Sequence, residues 1–188
     1  MIRGLLVLAL LTVAGAVLAL ALVGFFVYGK LYRIPSSSME PTLHCARPGP
    51  GCEARFSDRV LANRFIYHLR SPRRGEIVVF DTPRAAQERC GAGGVFVKRL
   101  IGLPGETWSE RNGFVYIDGK RLDEPYIKAD RRDHDTKDPG KIAPGHYFMM
   151  GDNRQSSCDS RVWGTVTRKE LIGKVFFTYW PPNRISIH

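Results

Sequence analysis

Gly113-Phe114-Val115-Tyr116-Ile117-Asp118-Gly119-Lys120-Arg121-Leu122 reads as a β-hairpin. Asp-Gly supplies the positive φ angles of a tight turn, and the flanking residues suit strands. Short strand-like runs recur on both sides of it. They are Arg59-Val60-Leu61-Ala62-Asn63, Glu76-Ile77-Val78-Val79-Phe80, Gly94 to Ile101, His146 to Met150 and Leu171 to Trp180. Helical periodicity is weak after Tyr28, and Gly and Pro are spread throughout. The pattern predicts an all-β fold over residues 31–188, an irregular or barrel-like sheet with long loops. Two polar stretches, Cys45 to Ser57 and Lys128 to Lys141, are expected to be exposed, mobile insertions.

Ahead of this domain, Gly4 to Tyr28 carries no charged residue and is nearly all Leu, Val, Ala, Gly and Phe. At about 1.5 Å per residue such a helix spans the roughly 30 Å hydrocarbon core of a bilayer. A cleaved secretory signal is the competing reading, with Arg3 as its basic start and Ala19-Leu20-Ala21 as its cleavage site. Apolar residues continue past that site through Val27, which favours one uncleaved anchor over residues 1–30. Charge counting leaves its orientation open, because Arg3 and the pair Lys30 and Arg33 pull in opposite directions.

The 188 residues suffice for one core, with room for a small subdomain. Lys and Arg number 28 against 18 Asp and Glu, a formal charge of +10. That balance suits an anionic membrane surface or nucleic acid. The basic residues are scattered and no nucleic-acid motif is visible, so lipid is the partner expected and nucleic acid is not. The four cysteines, Cys45, Cys52, Cys90 and Cys158, allow three full pairings. The Cys45/Cys52 spacing suits a small disulfide, free thiols are the alternative, and no Cys-x-x-Cys pair argues for zinc.

Alternation along Gly94 to Ile101 puts Lys98 on one face with Phe96 and Leu100, and Val97, Arg99 and Ile101 on the other. Burial between apolar neighbours disfavours an ammonium. A lysine pKa near 10.4 must fall by about 3, roughly 4 kcal/mol, before the amine is substantially neutral at pH 7. A neutral lysine is a competent general base. Otherwise Lys98 snorkels to solvent along its stem. Ser36-Ser37-Ser38 offers hydroxyls, which become nucleophiles only with a base and oxyanion donors. Histidine is the other possible base. Of His44, His68, His134, His146 and His188, His44 is nearest the serines in sequence, and none sits in a recognisable triad motif.

Three stretches then carry a resemblance. Ser36-Ser37-Ser38-Met39-Glu40-Pro41-Thr42-Leu43, Val97-Lys98-Arg99-Leu100-Ile101-Gly102-Leu103-Pro104-Gly105-Glu106 and Gly151-Asp152-Asn153-Arg154…Asp159-Ser160-Arg161…Trp163-Gly164 resemble, in order, the boxes of type I signal peptidases. These are membrane-bound serine proteases with a Ser-Lys dyad. The resemblance implies Ser38 as nucleophile and Lys98 as general base. It implies the Ser36 hydroxyl and the Ser38 N–H as the oxyanion hole, Ser157 as the hydroxyl orienting the lysine, and Asp159 and Arg161 as a supporting ion pair. Ile34, Met39, Leu43, Phe96 and Val97 would contact substrate, with Ile34 and Val97 lining pockets for Ala-like side chains. Gln155 departs from the family, where many members carry Asp.

The implied reaction is acyl transfer to water, needing no metal or cofactor. Its substrates would be the signal peptides of exported preproteins, cut after small-x-small motifs. The enzyme would be single-pass in the plasma (inner) membrane, with its catalytic domain outside. A dedicated conjugative-pilin peptidase of the same family and an inactive membrane-anchored binding module are the alternatives.

Overall fold

A computed structural model describes residues 10–17 and 29–188. Residues 10–17 are helical. No helix among the described residues is long and apolar enough to cross a membrane. The anchor expected over Gly4 to Tyr28 lies largely outside the described residues.

The remainder is built on two antiparallel sheets. Its strands are β1 (Gly29–Arg33), β2 (Arg59–Asn63), β3 (Ile77–Asp81), β4 (Val95–Gly102), β5 (Thr107–Arg111), β6 (Phe114–Ile117), β7 (Lys120–Arg121), β8 (Lys137–Lys141), β9 (His146–Met150), β10 (Val166–Thr167), β11 (Leu171–Trp180) and β12 (Ser186–Ile187). The larger sheet runs β1-β2-β11-β3-β4-β9-β10, with β12 added against β11, and the smaller runs β7-β6-β5-β8. The larger order is open, ending at β1 and β10, so the barrel-like form is not realised. The hairpin is present, and its turn residues Asp118 and Gly119 have φ of 49° and 76°.

Side-chain alternation on β3 explains the core. Ile77 and Val79 enter one cluster with Ile34, Met39, Leu43 and Val60. Val78 and Phe80 enter another with Leu100, Met149 and Trp163. Both faces are covered, so the strand reads as an unbroken apolar run. A third cluster of Ile101, Val115, Ile142, Phe148 and Met150 joins the two sheets. There Trp108 of β5 stacks on Phe148 of β9, with ring centroids 4.1 Å apart.

The two polar stretches lie largely at the surface, as expected, but they are tied into the fold rather than passive. Cys45, Cys52 and Ser57 are buried, and Cys45 is bonded to Cys52. The Ala46 N–H donates to Ser57 Oγ at 3.1 Å and the Arg47 N–H to the Ala54 carbonyl at 2.9 Å. Residues 128–141 supply β8, and Asp133 there pairs with Arg161. Backbone pairing and ion pairs overrode a composition that reads as solvated.

Candidate active site

The serines enter the site through a single turn of 3-10 helix, Ser37–Met39, after Ser36 in extended conformation. Hydrogen bonds from the Gly151–Arg154 loop fix that turn. The Asn153 N–H donates to the Ser38 carbonyl at 3.1 Å, and Asn153 Nδ2 donates to the Ser37 carbonyl at 3.1 Å. Gly151 is the close-approach point. A Cβ there would fall well inside van der Waals contact of both the Ser38 carbonyl oxygen and Ser157 Oγ.

Lys98 arrives on β4, opposite Val78 of β3. It is 4% exposed, so the snorkelling geometry is not adopted. Its Nζ lies 5.6 Å from the Phe96 ring centroid. Burial lowers the Lys98 pKa to about 8, against the opposing charges of Asp159 and Asp152 and with a smaller lowering by Arg161. This is short of the fall of about 3 asked for above, so at pH 7 most of the amine is still protonated.

Ser36, Ser38 and Lys98 line one cavity of about 400 Å³. Ile34, Met39, Phe96 and Val97 line it as well. Leu43 does not: it is fully buried in the core with Val60 and Ile77. A larger basin of about 660 Å³, bordered by Arg64, Tyr67 and Arg168, contains neither serine nor Lys98. No histidine lines the smaller cavity. His44 Nδ1 instead sits 2.5 Å from the buried Glu40 carboxylate.

Ser38 Oγ is 3.3 Å from Ser36 Oγ, its hydrogen-bond partner, and no bond joins it to Lys98. Ser157 Oγ is buried without a partner, so the lysine-orienting hydrogen bond implied for it is not made. Asp159 and Arg161 do form the expected ion pair, with Arg161 Nε to Asp159 Oδ1 at 2.9 Å and Nη2 to Oδ2 at 2.9 Å. Burial pushes the Asp159 carboxyl up. The Arg161 guanidinium, the Gly151 N–H and Lys98 together outweigh that and hold it below the usual carboxylate range.

Several residues were unassigned by the sequence. Asp152 accepts from Arg99 and from Thr42 Oγ1 at 2.5 Å, linking all three of the quoted boxes. Arg154 pairs with buried Glu124, and its Nε donates to the Gly151 carbonyl at 3.1 Å. The signal lay in arginines set among apolar or glycine-rich neighbours, but nothing local names their acidic partners. Gln155 is exposed and donates to the Arg132 carbonyl at 2.7 Å. Cys158 is bonded to Cys90, so both cysteine pairs are oxidised and the free-thiol alternative fails. Glu40, His44 and Glu53 lie close enough together to suggest a metal site, as do Glu110, Asp133 and Asp135. Arg131 pairs with Glu53, and Arg161 with Glu110 and Asp133. Each group therefore already sets an arginine against at least one of its carboxylates.

A family model described as signal peptidase, peptidase S26, matches residues 6–180. A probable signal peptidase I-2 of Synechocystis sp. is 42% identical over 154 residues, covering 82% of this chain and 64% of that protein. A probable signal peptidase I-1 of the same organism is 39% identical, covering 93% and 82%. Signal peptidase I S of Bacillus subtilis is 36% identical, covering 92% and 88%. The chain thus spans just under two thirds of the first relative and most of the other two. A solved signal peptidase I from Enterococcus faecalis V583 is 32% identical, covering 56% of this chain and 97% of its own, with a TM-score of 0.45. With the family model matched along nearly its whole length, this chain belongs to the signal peptidase family, peptidase S26.

Proposed function

We propose that this chain is a membrane-bound serine endopeptidase that removes signal peptides from exported preproteins, with Ser38 as nucleophile and Lys98 as general base. The observation that carries the reading is a buried lysine of lowered pKa lining the same cleft as Ser36 and Ser38. In its neutral form Lys98 takes the Ser38 proton as Oγ attacks the scissile carbonyl. Ser38 exchanges its Ser36 contact for the lysine as substrate enters, breaking the hydrogen bond between the two hydroxyls. That frees the Ser36 hydroxyl to stabilise the oxyanion with the Ser38 N–H. One such donor is worth roughly 3–4 kcal/mol. Protonated Lys98 then gives its proton to the leaving amine and, neutral again, activates the water that releases the acyl-enzyme. Asp159 and Arg161 act from behind the cleft by setting the field at the amine. Ile34 and Val97 bound the space for small side chains before the cut, with Met39 and Phe96 alongside.

The division into an anchor over residues 1–30 and a catalytic domain over 31–188 belongs to the same proposal, although β1 already begins at Gly29. Ten positions separate Tyr28 from Ser38, at most about 36 Å of chain. An exposed aromatic and basic patch supports seating on anionic headgroups at the outer face of the plasma membrane. Phe56, Trp180 and Ile185 are exposed. Arg59 lies 6.0 Å from the Trp180 ring and Arg55 5.2 Å from the Phe56 ring. Arg33, at the end of β1, pairs with Arg59 in register. Tryptophan and arginine both suit the headgroup region.

The test is mass spectrometry of a preprotein incubated with the full chain. A single cut after a small-x-small motif, abolished by Ser38→Ala and by Lys98→Ala, is expected. Full cleavage by both variants would reject the dyad.

A further inference from the structure

The cleft has a side that the catalytic groups do not supply. Between β3 and β4 the chain leaves the sheet at Thr82 and returns at Gly94, forming the short helix Arg84–Cys90 and an exposed glycine-rich turn. Ala92, Gly93 and Val95 from this excursion line the cavity, as do Cys90 and Cys158. The Cys90–Cys158 disulfide spans 68 positions of sequence. It joins the end of the helix to the strip that holds Ser157 on one side and Asp159 on the other.

Few other ties hold the excursion. Thr82 donates to the Gly94 carbonyl through Oγ1 at 2.7 Å and through its N–H at 2.8 Å, closing the base. Arg89, an exposed side chain, donates to the Val162 carbonyl. The helix has no side-chain cap at its start and ends on Gly91 in the left-handed region. Ala86 is its one buried residue. Ala85 and Cys90 pack, partly buried, on the same core cluster, and three small contacts on seven residues are too few for a helix to hold position alone. The serine turn is held differently, by Asn153 and by the Arg99–Asp152 pair, neither of which passes through the bridge.

We propose that the Cys90–Cys158 disulfide determines substrate specificity by fixing the width of the cleft. It clamps the Ala92–Val95 side against the Ser156–Asp159 strip, so that bulky residues before the scissile bond are refused. Without the bridge the excursion moves away from the strip, the cleft admits larger side chains, and small substrates are held less tightly. The Ser38–Lys98 machinery keeps its own supports. The effect therefore falls on KM and on discrimination, with kcat changing little. This inference rests on the peptidase reading above.

The experiment uses the full chain and two signal-peptide substrates differing only in Ala or Val immediately before the cut. Wild type, Cys90→Ser/Cys158→Ser and Cys45→Ser/Cys52→Ser are each assayed with and without dithiothreitol, with thiol content read by alkylation and mass spectrometry. A hydrophobic pocket discriminates by roughly 10–200-fold for a small difference in bulk. Loss of the bridge is expected to lower the Ala/Val ratio of kcat/KM about tenfold, raise KM for the Ala substrate, and leave its kcat within about threefold. Reduction should reproduce this in the wild type and in Cys45→Ser/Cys52→Ser, reversibly on reoxidation, and should do nothing further to Cys90→Ser/Cys158→Ser. Reduction of Cys45→Ser/Cys52→Ser retains both remaining sulfur atoms, so the test stands even where the serine pair at 90 and 158 does not fold. An unchanged ratio with the bridge shown to be open overturns the inference and leaves the peptidase reading intact. Loss of kcat with no change in discrimination overturns it as well, reducing the bridge to structural support. If the wild type cuts neither substrate, the peptidase reading falls and takes this inference with it.

Discussion

Arg99 and Asp152 meet side-on in the interior, with Nε to Oδ1 at 2.9 Å and Nη2 to Oδ2 at 2.6 Å. Asp152 is fully buried and Arg99 nearly so. The guanidinium also donates to the Gly75 carbonyl at 2.7 Å and lies 3.9 Å from the Tyr126 ring centroid. This pair fastens β4, which carries Lys98, to the loop that seats Ser38. Arg99, the strand residue after Lys98, thus has its own structural task.

Asp152→Ala should therefore be among the most damaging substitutions outside the dyad. It leaves Arg99 buried without its paired carboxylate and removes the acceptor of Thr42. Breaking a buried pair in this way costs about 3–5 kcal/mol. Urea denaturation followed by tryptophan fluorescence measures the loss. A change below about 1 kcal/mol would mean that Arg99 finds another partner or reaches water.

Cleavage should follow the titration of Lys98. Only the neutral amine accepts the Ser38 proton, and the pKa of about 8 leaves it protonated on the acid side. With acylation rate-limiting, kcat/KM should fall nearly tenfold per pH unit below about pH 7 and level off above pH 9. A profile flat from pH 5.5 to pH 8 would remove Lys98 from the role of base.

The same burial makes Lys98 a cost to the fold. Its folded-state pKa is lowered, so the folded protein binds fewer protons than the unfolded chain between about pH 8 and pH 10.5. The penalty is complete below pH 8 and disappears as pH rises through the unfolded value. Lys98→Met keeps the length of the side chain and removes the charge. It should be inactive yet more stable than wild type at pH 7, by roughly 3 kcal/mol. The gain should shrink toward pH 10. Equal stabilities at pH 7 would show that the ammonium is solvated in the cleft.

The sequence reveals those parts of this molecule that depend on near neighbours. β2, β9 and β11 lie at the bounds read from the apolar pattern, and β3 and β4 start one residue later than expected. Lys98 is buried as its flanking residues imply. β8, Lys137-Asp138-Pro139-Gly140-Lys141, has no apolar residue at all and is a strand only because β5 offers it a partner. β5 itself, Thr107–Arg111, shows little alternation, and its Glu110 is buried against Arg161 of a distant segment. Leu43 reads as a substrate contact beside the serines, yet the turn after Met39 carries it into the core. Residues set by long-range pairing, Glu124 with Arg154 and Asp152 with Arg99, have no local signature. That is why the supporting shell was less legible than the serine and the lysine.

Gly151 connects that shell to the nucleophile. Its N–H donates to Asp159 Oδ2 at 3.1 Å, and its Cα faces both the Ser38 carbonyl and Ser157 Oγ. One added methyl group must displace either the serine turn or the Ser157 strip. Overpacking of this kind costs about 1–3 kcal/mol in stability. The larger effect should be on rate, because a misplacement of about 1 Å at a catalytic group can cost 10²-fold. Gly151→Ala is expected to keep its fold by circular dichroism while kcat falls about 100-fold, with a much smaller change in KM. Gly119, in the turn between β6 and β7, has open space where a Cβ would go, but its φ of 76° strains any other residue. Gly119→Ala therefore serves as the control for stability loss without intrusion on Ser38. If the two variants lose activity equally, the fall at Gly151 reflects general destabilisation, and the close approach of Gly151 to Ser38 has no catalytic consequence.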